Sequence, residues 1–581
     1  FRALAVTMAS SLLISLFLAL FLTPNLGAFL IKGRRGETQN EREQGGRVLR
    51  YIIALYEQVV RGALHRPVAV LGLMVLVLAA ASFLFFRLES DFLPAQDEGA
   101  FVLDYFSRPG TSLEETDRML RHVEEILQDT PEVESYSRRT GARLALAIAE
   151  PNTGDFLVKL RGNRSSSTEE VIDGLRERIT AAEPALSTEF PGVLSDLVGD
   201  LTWSPEPIEI KIFSNDINEL ESLAPQVAAA IEEVPGVVDV NDGLVVAGPT
   251  LRYRVRETEA ARVGLTAQSL GSELESALVG SVVSYVLDKD RIVDVRVLVT
   301  PEMTKTEEAI ASLPVRAQGR ERVTVGEVAR IEARAGQLEM HREDQRELVA
   351  VSGRLAGRDL RSGMKDIQAK LKEVVTLPSG ASIEYGGLYQ QQQEAFSRLT
   401  LVLLLAIMLV LLVLILEFRT ILHAAAIVGG AVLALFGVVS ALWITGSSLN
   451  IVSYLGAIIG VGIVAKNGIL MFDFVEHLRQ EGHSMKEALV LSGRRRLRPV
   501  LMTSLTAFLG LLPLAYGVGA GADMLRPLAV SVMGALVISL LLSLVATPVF
   551  YYVLETSVCW ILGRGADDAA MPGTAKGNAP E

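Results

Sequence analysis

Residues 451–472 read I-V-S-Y-L-G-A-I-I-G-V-G-I-V-A-K-N-G-I-L-M-F, and Lys466 is the only charge among them. At 1.5 Å per residue this run covers about 33 Å as a helix, enough to cross a bilayer. A lysine at mid-helix costs roughly 2.5–3.5 kcal/mol on insertion scales, so it is expected to face protein or water and to have a partner. A buried ammonium of this kind points to an ion or proton pathway.

Working outward, the apolar residues cluster. The 581-residue chain is 50% hydrophobic with a positive mean hydropathy. Seven spans are expected, at 5–31, 67–86, 399–416, 421–444, 451–474, 500–516 and 528–554. The polar stretch between the second and third is too long for a loop. The expected layout is an α-helical transmembrane bundle with an α+β extracytoplasmic head over 87–396.

Charge sets the orientation. The head holds 34 basic and 54 acidic residues, whereas 1–86 holds 9 and 4 and 397–581 holds 12 and 10. Outside the head, basic residues gather at 32–66 (Lys32, Arg34, Arg35, Arg42, Arg47, Arg50, Arg61, Arg66) and 475–498 (Arg479, Lys486, Arg494, Arg495, Arg496, Arg498). Alternating crossings put both connections on one side, opposite the head, and the positive-inside rule makes that side cytoplasmic. Cys559 is the only cysteine, which excludes a Cys-cluster metal site. No secretory signal is legible. The chain starts at Phe1 on the edge of an apolar helix, which reads as a fragment or a fused half.

The chain repeats itself at two scales. Ser15–Pro24 (S-L-F-L-A-L-F-L-T-P) recurs as Ser539–Pro548 (S-L-L-L-S-L-V-A-T-P). Duplication then makes the first span the end of one half and the last span the end of the other, an architecture known among transporters. Within the head, Val123, Leu127, Pro131 and Val133 are echoed by Val227, Ile231, Pro235 and Val237. The repeated unit is strand, helix, strand: 100–106, 113–128 and 132–138, then 208–213, 217–233 and 237–241. Strand 155–160 with helix 168–182, and strand 347–354 with helix 360–375 and strand 382–386, complete split βαβ sandwiches. Residues 249–336 read as an inserted module, with strands 250–255, 292–298 and 322–324 and helix 267–279.

Several motifs together resemble the resistance-nodulation-division (RND) efflux transporters. Ala465-Lys466-Asn467-Gly-Ile-Leu followed by Arg496-Leu-Arg498-Pro499-Val-Leu-Met-Thr503-Ser504 resembles their second-half membrane signature. Phe92-Leu-Pro94-x-x-Asp97-Glu98-Gly99 and 414–421 (L-I-L-E-F-R-T-I) are similar to the start of that family's second head section and to a turn between its spans. The resemblance covers the chain from the sixth of twelve spans onward. It implies the permease of a tripartite, proton-driven antiporter of the Gram-negative inner membrane: a homotrimer with a periplasmic adaptor protein and an outer-membrane channel, protons as coupling ion, and no cofactor or nucleic acid. The implied division is a transmembrane helix at 1–31, a cytoplasmic connection at 32–66 and a helix at 67–86. Porter subdomains of ferredoxin-like βαβ type follow at 88–205 and at 206–248 plus 337–396, with a docking subdomain at 249–336. Five helices at 397–554 and a cytoplasmic tail at 555–581, expected to lack order, close the chain. In the family's proton relay, Lys466 matches the lysine, Thr503 the threonine and Arg496 the accessory arginine. Its acidic partners belong to a helix this chain does not contain.

Read as residues alone, Lys466 lies about 13 Å from the cytoplasmic end of its helix near Val475, and Thr503 about 9 Å from a helix start near Leu497. The two can meet at similar depth. A lysine beside carboxylates changes partners when one of them takes a proton, which makes a bistable element. The competing reading is a lysine that snorkels to the headgroups. Asn467 is expected to hydrogen-bond across helices, Asp473 to sit at a solvated helix end, and Pro499 to occupy a first turn. Arg496 serves either topology or the proton path. In the head, Met119, Met303, Met340 and Met364 are scattered and Trp203 is the only tryptophan. The acidic residues read as a solvated surface. The stretches 140–156 and 189–203 look closer to metal-type members of the family, the Lys-Asn pair closer to drug-type ones. No substrate residue or metal site is assigned, and drugs, lipophiles and metal ions all stay open. A protein-export accessory of the same superfamily is the alternative, disfavoured by the head's size. An enzyme is not supported, since no P-loop, H-E-x-x-H or G-x-S-x-G occurs.

Overall fold

The computed structural model describes residues 2–30, 47–94, 96–142, 150–194, 196–197, 206–289, 291–316, 322–334, 336, 338–519 and 521–561. The basic residues at 32–42, Trp203 and the tail beyond 561 lie outside the described residues. The chain opens on an apolar rod, α1 (Arg2–Phe17) and α2 (Thr23–Leu30) joined by a π-helical turn at Leu18–Leu22. None of this rod's apolar window is buried within the chain. α3 (Arg47–His65) is amphipathic and inserts Tyr56, Val60 and Leu64 into the membrane-helix core. α4 (Pro67–Arg87) starts on a proline, whose missing N–H costs nothing in a first turn.

The head begins with β1 (Ala100–Ser107), α5 (Leu113–Gln128), β2 (Val133–Thr140), β3 (Thr153–Leu160), α6 (Thr168–Ala182) and β4 (Leu186–Glu189). These strands form an antiparallel sheet in the order β2-β3-β1-β4. Ser112 and Ser167 cap the two helices by accepting from Glu115 N–H and Glu170 N–H. Phe101, Leu103, Tyr105, Phe156 and Val158 pack against the buried faces of both helices. β5 (Ile208–Phe213), α7 (Ile217–Glu232) and β6 (Val237–Asn241) open a second sheet. The chain then leaves through β7 (Thr250–Val255), α8 (Ala267–Glu275), β8 (Ser281–Asp288), β9 (Arg291–Val297), β10 (Pro314–Arg316), β11 (Arg322–Thr324) and β12 (Ala329–Arg334). It returns in β13 (His341–Glu343), β14 (Arg346–Leu355), α9 (Leu360–Val374) and β15 (Ser382–Gly386). Here β15, β5, β14 and β6 lie in the relative order of β4, β1, β3 and β2, and β13 adds to β14. The internal repeat is visible as packing. Val123, Leu127, Val227 and Ile231 are all fully buried, and Val133 and Val237 begin matching strands.

Four short strands for which no strand was expected, β4, β10, β12 and β13, are formed. So is β8, the missing half of a hairpin with β9. Every residue of both hairpin strands is exposed.

The membrane part follows without a break. α10 (Gly387–Phe418) leaves β15 directly, and α11 (Ile421–Thr445) ends at Gly446, whose φ of 62° suits a residue without Cβ. α12 (Ile451–Gln480) starts at an Asn450–Ser453 capping box. α13 (Met485–Ala515), α14 (Ala522–Ile538), a π-helical turn (Ser539–Ser543) and α15 (Leu544–Ile561) complete the bundle. Among the described residues eight helices are long and apolar enough to span a membrane. Seven were expected; the difference is the last one, split between α14 and α15. No reversal separates those two, so they make one crossing. α11 and α14 touch at backbone distance: a Cβ on Gly437 would sit 2.2 Å from the Gly534 carbonyl oxygen.

The start of α13 corrects an expectation. It lies at Met485, capped by Ser484, not near Leu497. Ala488, Leu489, Val490, Ser492 and Gly493 are buried, so tertiary packing sustains the helix ahead of the span. Pro499 is therefore inside the helix, where it removes one backbone hydrogen bond.

Candidate functional site

α12 is packed on one side only. Gly456, Gly460, Val464, Asn467 and Met471 face the bundle, while Gly462, Lys466 and Asp473 are exposed on a stripe spaced four and seven residues apart. A Cβ on Gly462 would meet nothing within 4 Å. Lys466 stands about 22 Å along the helix from Ile451, with no hydrogen bond or ion pair among the described residues. The neighbouring helix α13 likewise exposes Met502, Thr503, Leu505 and Leu509. The Thr503 hydroxyl donates to its own Val500 carbonyl, 3.2 Å away. Lys466 and Thr503 thus lie on uncovered faces of adjacent helices, without a hydrogen bond to each other among the described residues.

The other two relay candidates are placed differently. Arg496 reaches Asp473 at 3.6 Å and lies over the Phe474 ring at 5.2 Å, so it ties α13 to α12 at the end away from the head. Asn467 points into the bundle, 5% exposed, and lines a cavity of about 10 Å³ with Ile427, Gly430, Val464, Gly468, Met471, Leu544 and Thr547. Its expected cross-helix hydrogen bond is not formed among the described residues, because its surroundings are apolar apart from Thr547.

Two polar groups escaped the sequence reading. At the same end as Arg496, the Arg479 guanidinium reaches Glu555 at 2.8 Å and donates to the Tyr551 hydroxyl at 3.2 Å; the buried His423 ring lies 4.5 Å from that of Tyr551. This links α11, α12 and α15. In the head, register creates a row of acids. Asp155 of β3 and Glu189 of β4 both pair with Asp104 of β1, and Arg139 of β2 pairs with Asp155. Residues directly opposite share a sheet face, and this is the face away from the helices. Asp155 and Asp104 are buried. Arg139 Nε holds Asp155 Oδ1 at 2.6 Å, while Asp155 Oδ2 has no hydrogen-bond partner.

Glu189 is where the two sheets meet. Asn241 of β6 donates to it at 3.2 Å, and Asp239 of β6 accepts from Phe190 N–H and from Arg176. Burial, with the nearby Glu206 charge, pushes the Glu189 carboxyl up to about 7 against the pull of Arg354 and Asn241. Asp104 and Asp155 are buried and Glu189 is half-buried, so this row is a seam between the sheets and not part of the solvated surface expected of the head's acids in general. The signal was a strand register, which sequence alone does not print. The head methionines are less suggestive: Met119 and Met364 belong to the two sheet cores. Among the described residues no three His, Cys, Asp or Glu side chains form a metal-holding cluster.

Eight helices long and apolar enough to cross a membrane, one with a mid-span lysine, together with a two-sheet head, mark a multi-pass membrane protein. The AcrB/AcrD/AcrF family model matches residues 1–555, and the chain belongs to that family, within the RND efflux transporters. It is 30% identical to the cobalt-zinc-cadmium resistance protein CzcA of Cupriavidus metallidurans, over 95% of this chain and 52% of that protein. It is 28% identical to Protein HelA of Legionella pneumophila, over 96% of this chain and 53% of that one. The crystal structure of a heavy metal efflux pump superposes with a TM-score of 0.79 at 28% identity, covering 88% of this chain and 53% of that chain. The chain spans about half the length of the curated relatives it matches.

Proposed function

We propose that this chain supplies the C-terminal half of the permease of a proton-driven efflux pump, and that the pump's substrates are divalent metal cations. One observation carries the proton reading: a lysine deep in a span, without a partner among the described residues, on a face the rest of the chain leaves uncovered. The relatives are twice as long, so a first half is available to cover that stripe and to bring carboxylates to Lys466 and Thr503. Protonating such a carboxylate releases the ammonium, and the two half-bundles shift. Gly462 lets another helix approach within one turn of the lysine. Arg496 and Asn467 then act at the edge of this site, Arg496 by fixing the end of α12 and Asn467 by leaving a pocket wide enough for one water.

The metal reading is supported by the names of the relatives; the Asp104–Asp155–Glu189 row adds carboxylate oxygens along the seam without forming a metal-holding cluster. Carboxylate oxygens suit cobalt, zinc and similar cations, whereas a copper(I) path calls for exposed thioethers. In this conformation Arg139 compensates the row, and a cation passing the seam between the sheets would compete with it. The two sheets are read as porter subdomains (88–205, and 206–248 with 337–396) and the insert 249–336 as the docking subdomain of a homotrimer that works with an adaptor protein and an outer-membrane channel. The head then lies in the periplasm and the bundle in the inner membrane. A protein-export accessory is disfavoured by the paired split βαβ sheets.

The test is Lys466→Ala in the full-length transporter. Efflux of zinc or cobalt from loaded vesicles is expected to fall to background, with oligomeric state unchanged on sizing. Undiminished efflux sinks the relay.

A further inference from the structure

Two residues after α4 the chain enters a joint that ties three elements together. Segment 89–92 lies parallel to 449–451: Leu449 N–H donates to the Glu89 carbonyl at 2.8 Å, Asp91 N–H to the Leu449 carbonyl at 3.1 Å, and Ile451 N–H to the Phe92 carbonyl at 3.4 Å. Ile451 is the first residue of α12, the helix that carries Lys466. The other side of the same segment holds the start of α9 in the second head sheet. Asp91 Oδ1 accepts from Leu360 N–H at 3.1 Å, and Ser90 N–H donates to Asp359, the N-cap of α9, at 3.3 Å. Arg361 N–H reaches the Ser90 carbonyl at 3.4 Å, and Gln392 of α10 donates to the Ser90 hydroxyl at 3.0 Å. Ser90 is fully buried.

We infer that Asp91 is a positioning residue which, with the backbone hydrogen bonds of segment 89–92, couples the lysine-bearing helix to the head, passing displacement of α12 into α9. The inference rests on the proton-driven reading above. The geometry suits a rigid link. α12 runs unbroken from the joint to Lys466, about 22 Å, with no proline. Leu88 and Leu449 pack in one cluster with Val461 and Val464, so the joint is seated on the same helix's inner face. At the far end, Leu360, Met364, Ile367 and Leu371 of α9 are buried in the second sheet's core. A carboxylate at a helix N-terminus is favourable, and Asp91 places one on α9 from another element. Burial lifts the Asp91 carboxyl above its usual range, aided by the Asp359 and Glu89 charges, while the Leu360 N–H and Ser448 hydrogen bonds hold it down. This connection differs from the covalent one through α10, which enters the head at β15.

The full-length transporter in proteoliposomes provides the test, with zinc as probe. Asp91→Ala is expected to lower zinc-driven proton exchange at least ten-fold while zinc affinity of the purified transporter stays within two-fold. Asp91→Asn keeps an oxygen for Leu360 N–H and is expected to restore at least half of the exchange. In a cysteine-free background of the full-length transporter, Cys559→Ser included, Ser90→Cys with Leu449→Cys places thiols on directly paired residues. Oxidising them is expected to leave transport intact, because the joint moves as one body. Exchange at the parent level in Asp91→Ala, or arrest on oxidation, overturns the inference. If Asp91→Ala does not assemble, the disulfide arm decides. Lys466→Ala in parallel separates the two readings: normal exchange there rejects the proton relay, whereas loss there with normal exchange in Asp91→Ala rejects the joint alone.

Discussion

Single residues in this chain take their meaning from what surrounds them, and Lys466 and Glu189 illustrate the two extremes. Lys466 was legible from sequence because a charge in an apolar run needs no alignment to be noticed. Glu189 was not, because its setting depends on a strand register and on a second sheet. Its carboxyl is pushed up to about 7 by burial and by Glu206. The folded head therefore holds this proton where the unfolded chain has released it, and the head loses stability as pH rises from about 4.5 through about 7. Hydrogen exchange, corrected for its intrinsic pH dependence, is expected to show β4 amides losing protection between pH 5 and pH 8. Glu189→Gln is expected to flatten that loss. Identical profiles for the two proteins would rule the assignment out.

At the scale of elements, the sequence reading succeeded where periodicity was strong and local. Helices 113–128 and 168–182 and strands 208–213, 237–241 and 382–386 match the structure at both ends. It failed where tertiary contact does the work. α3 was read as a basic connection, yet Tyr56 docks it onto α13 and α15, the ring filling the space above Gly493. The docking has a local chemical reason. Pro548 has no N–H, so the Leu544 carbonyl lacks its usual donor four residues on, and the Tyr56 hydroxyl supplies one at 3.1 Å. Tyr56→Phe leaves that buried carbonyl unpaired and is expected to cost about 1–3 kcal/mol. Faster proteolysis of the segment before α4, compared with the parent, would register it; unchanged cleavage would refute it. The same contact brings the two basic connections to one end of the bundle, where Arg494 lies 3.7 Å from Glu57.

At the scale of the whole molecule, the chain is unusual for what it leaves uncovered. Among the described residues the apolar window of the rod α1–α2 is unburied, α12 and α13 expose the Lys466 face, and the β8–β9 hairpin shows apolar side chains on both sides. Val283, Tyr285, Leu287 and Ile292 are each at least 60% exposed. A hairpin in water does not hold such residues without a partner. Val283→Glu with Ile292→Glu is expected to shift the full-length transporter from the proposed trimer to monomer on sizing, with far-ultraviolet circular dichroism unchanged. A trimer that persists would exclude the hairpin from the assembly. Composition and hydropathy had announced a bundle and a head. Which surfaces wait for partners became visible only with the packing, because exposure belongs to the assembled chain and not to any residue in it.

The two π-helical turns, at Leu18–Leu22 and Ser539–Ser543, occupy overlapping parts of the duplicated segment. Such a turn admits one residue more than an α-helical turn, which swings everything beyond it by about 100° around the axis. Thr547, Tyr551 and Glu555 follow that swing in α15. Chain length at this point is therefore as constrained as chemistry. A homologous helix one residue shorter would aim a different face at Arg479, and insertions or deletions here would be read by the bundle as rotations.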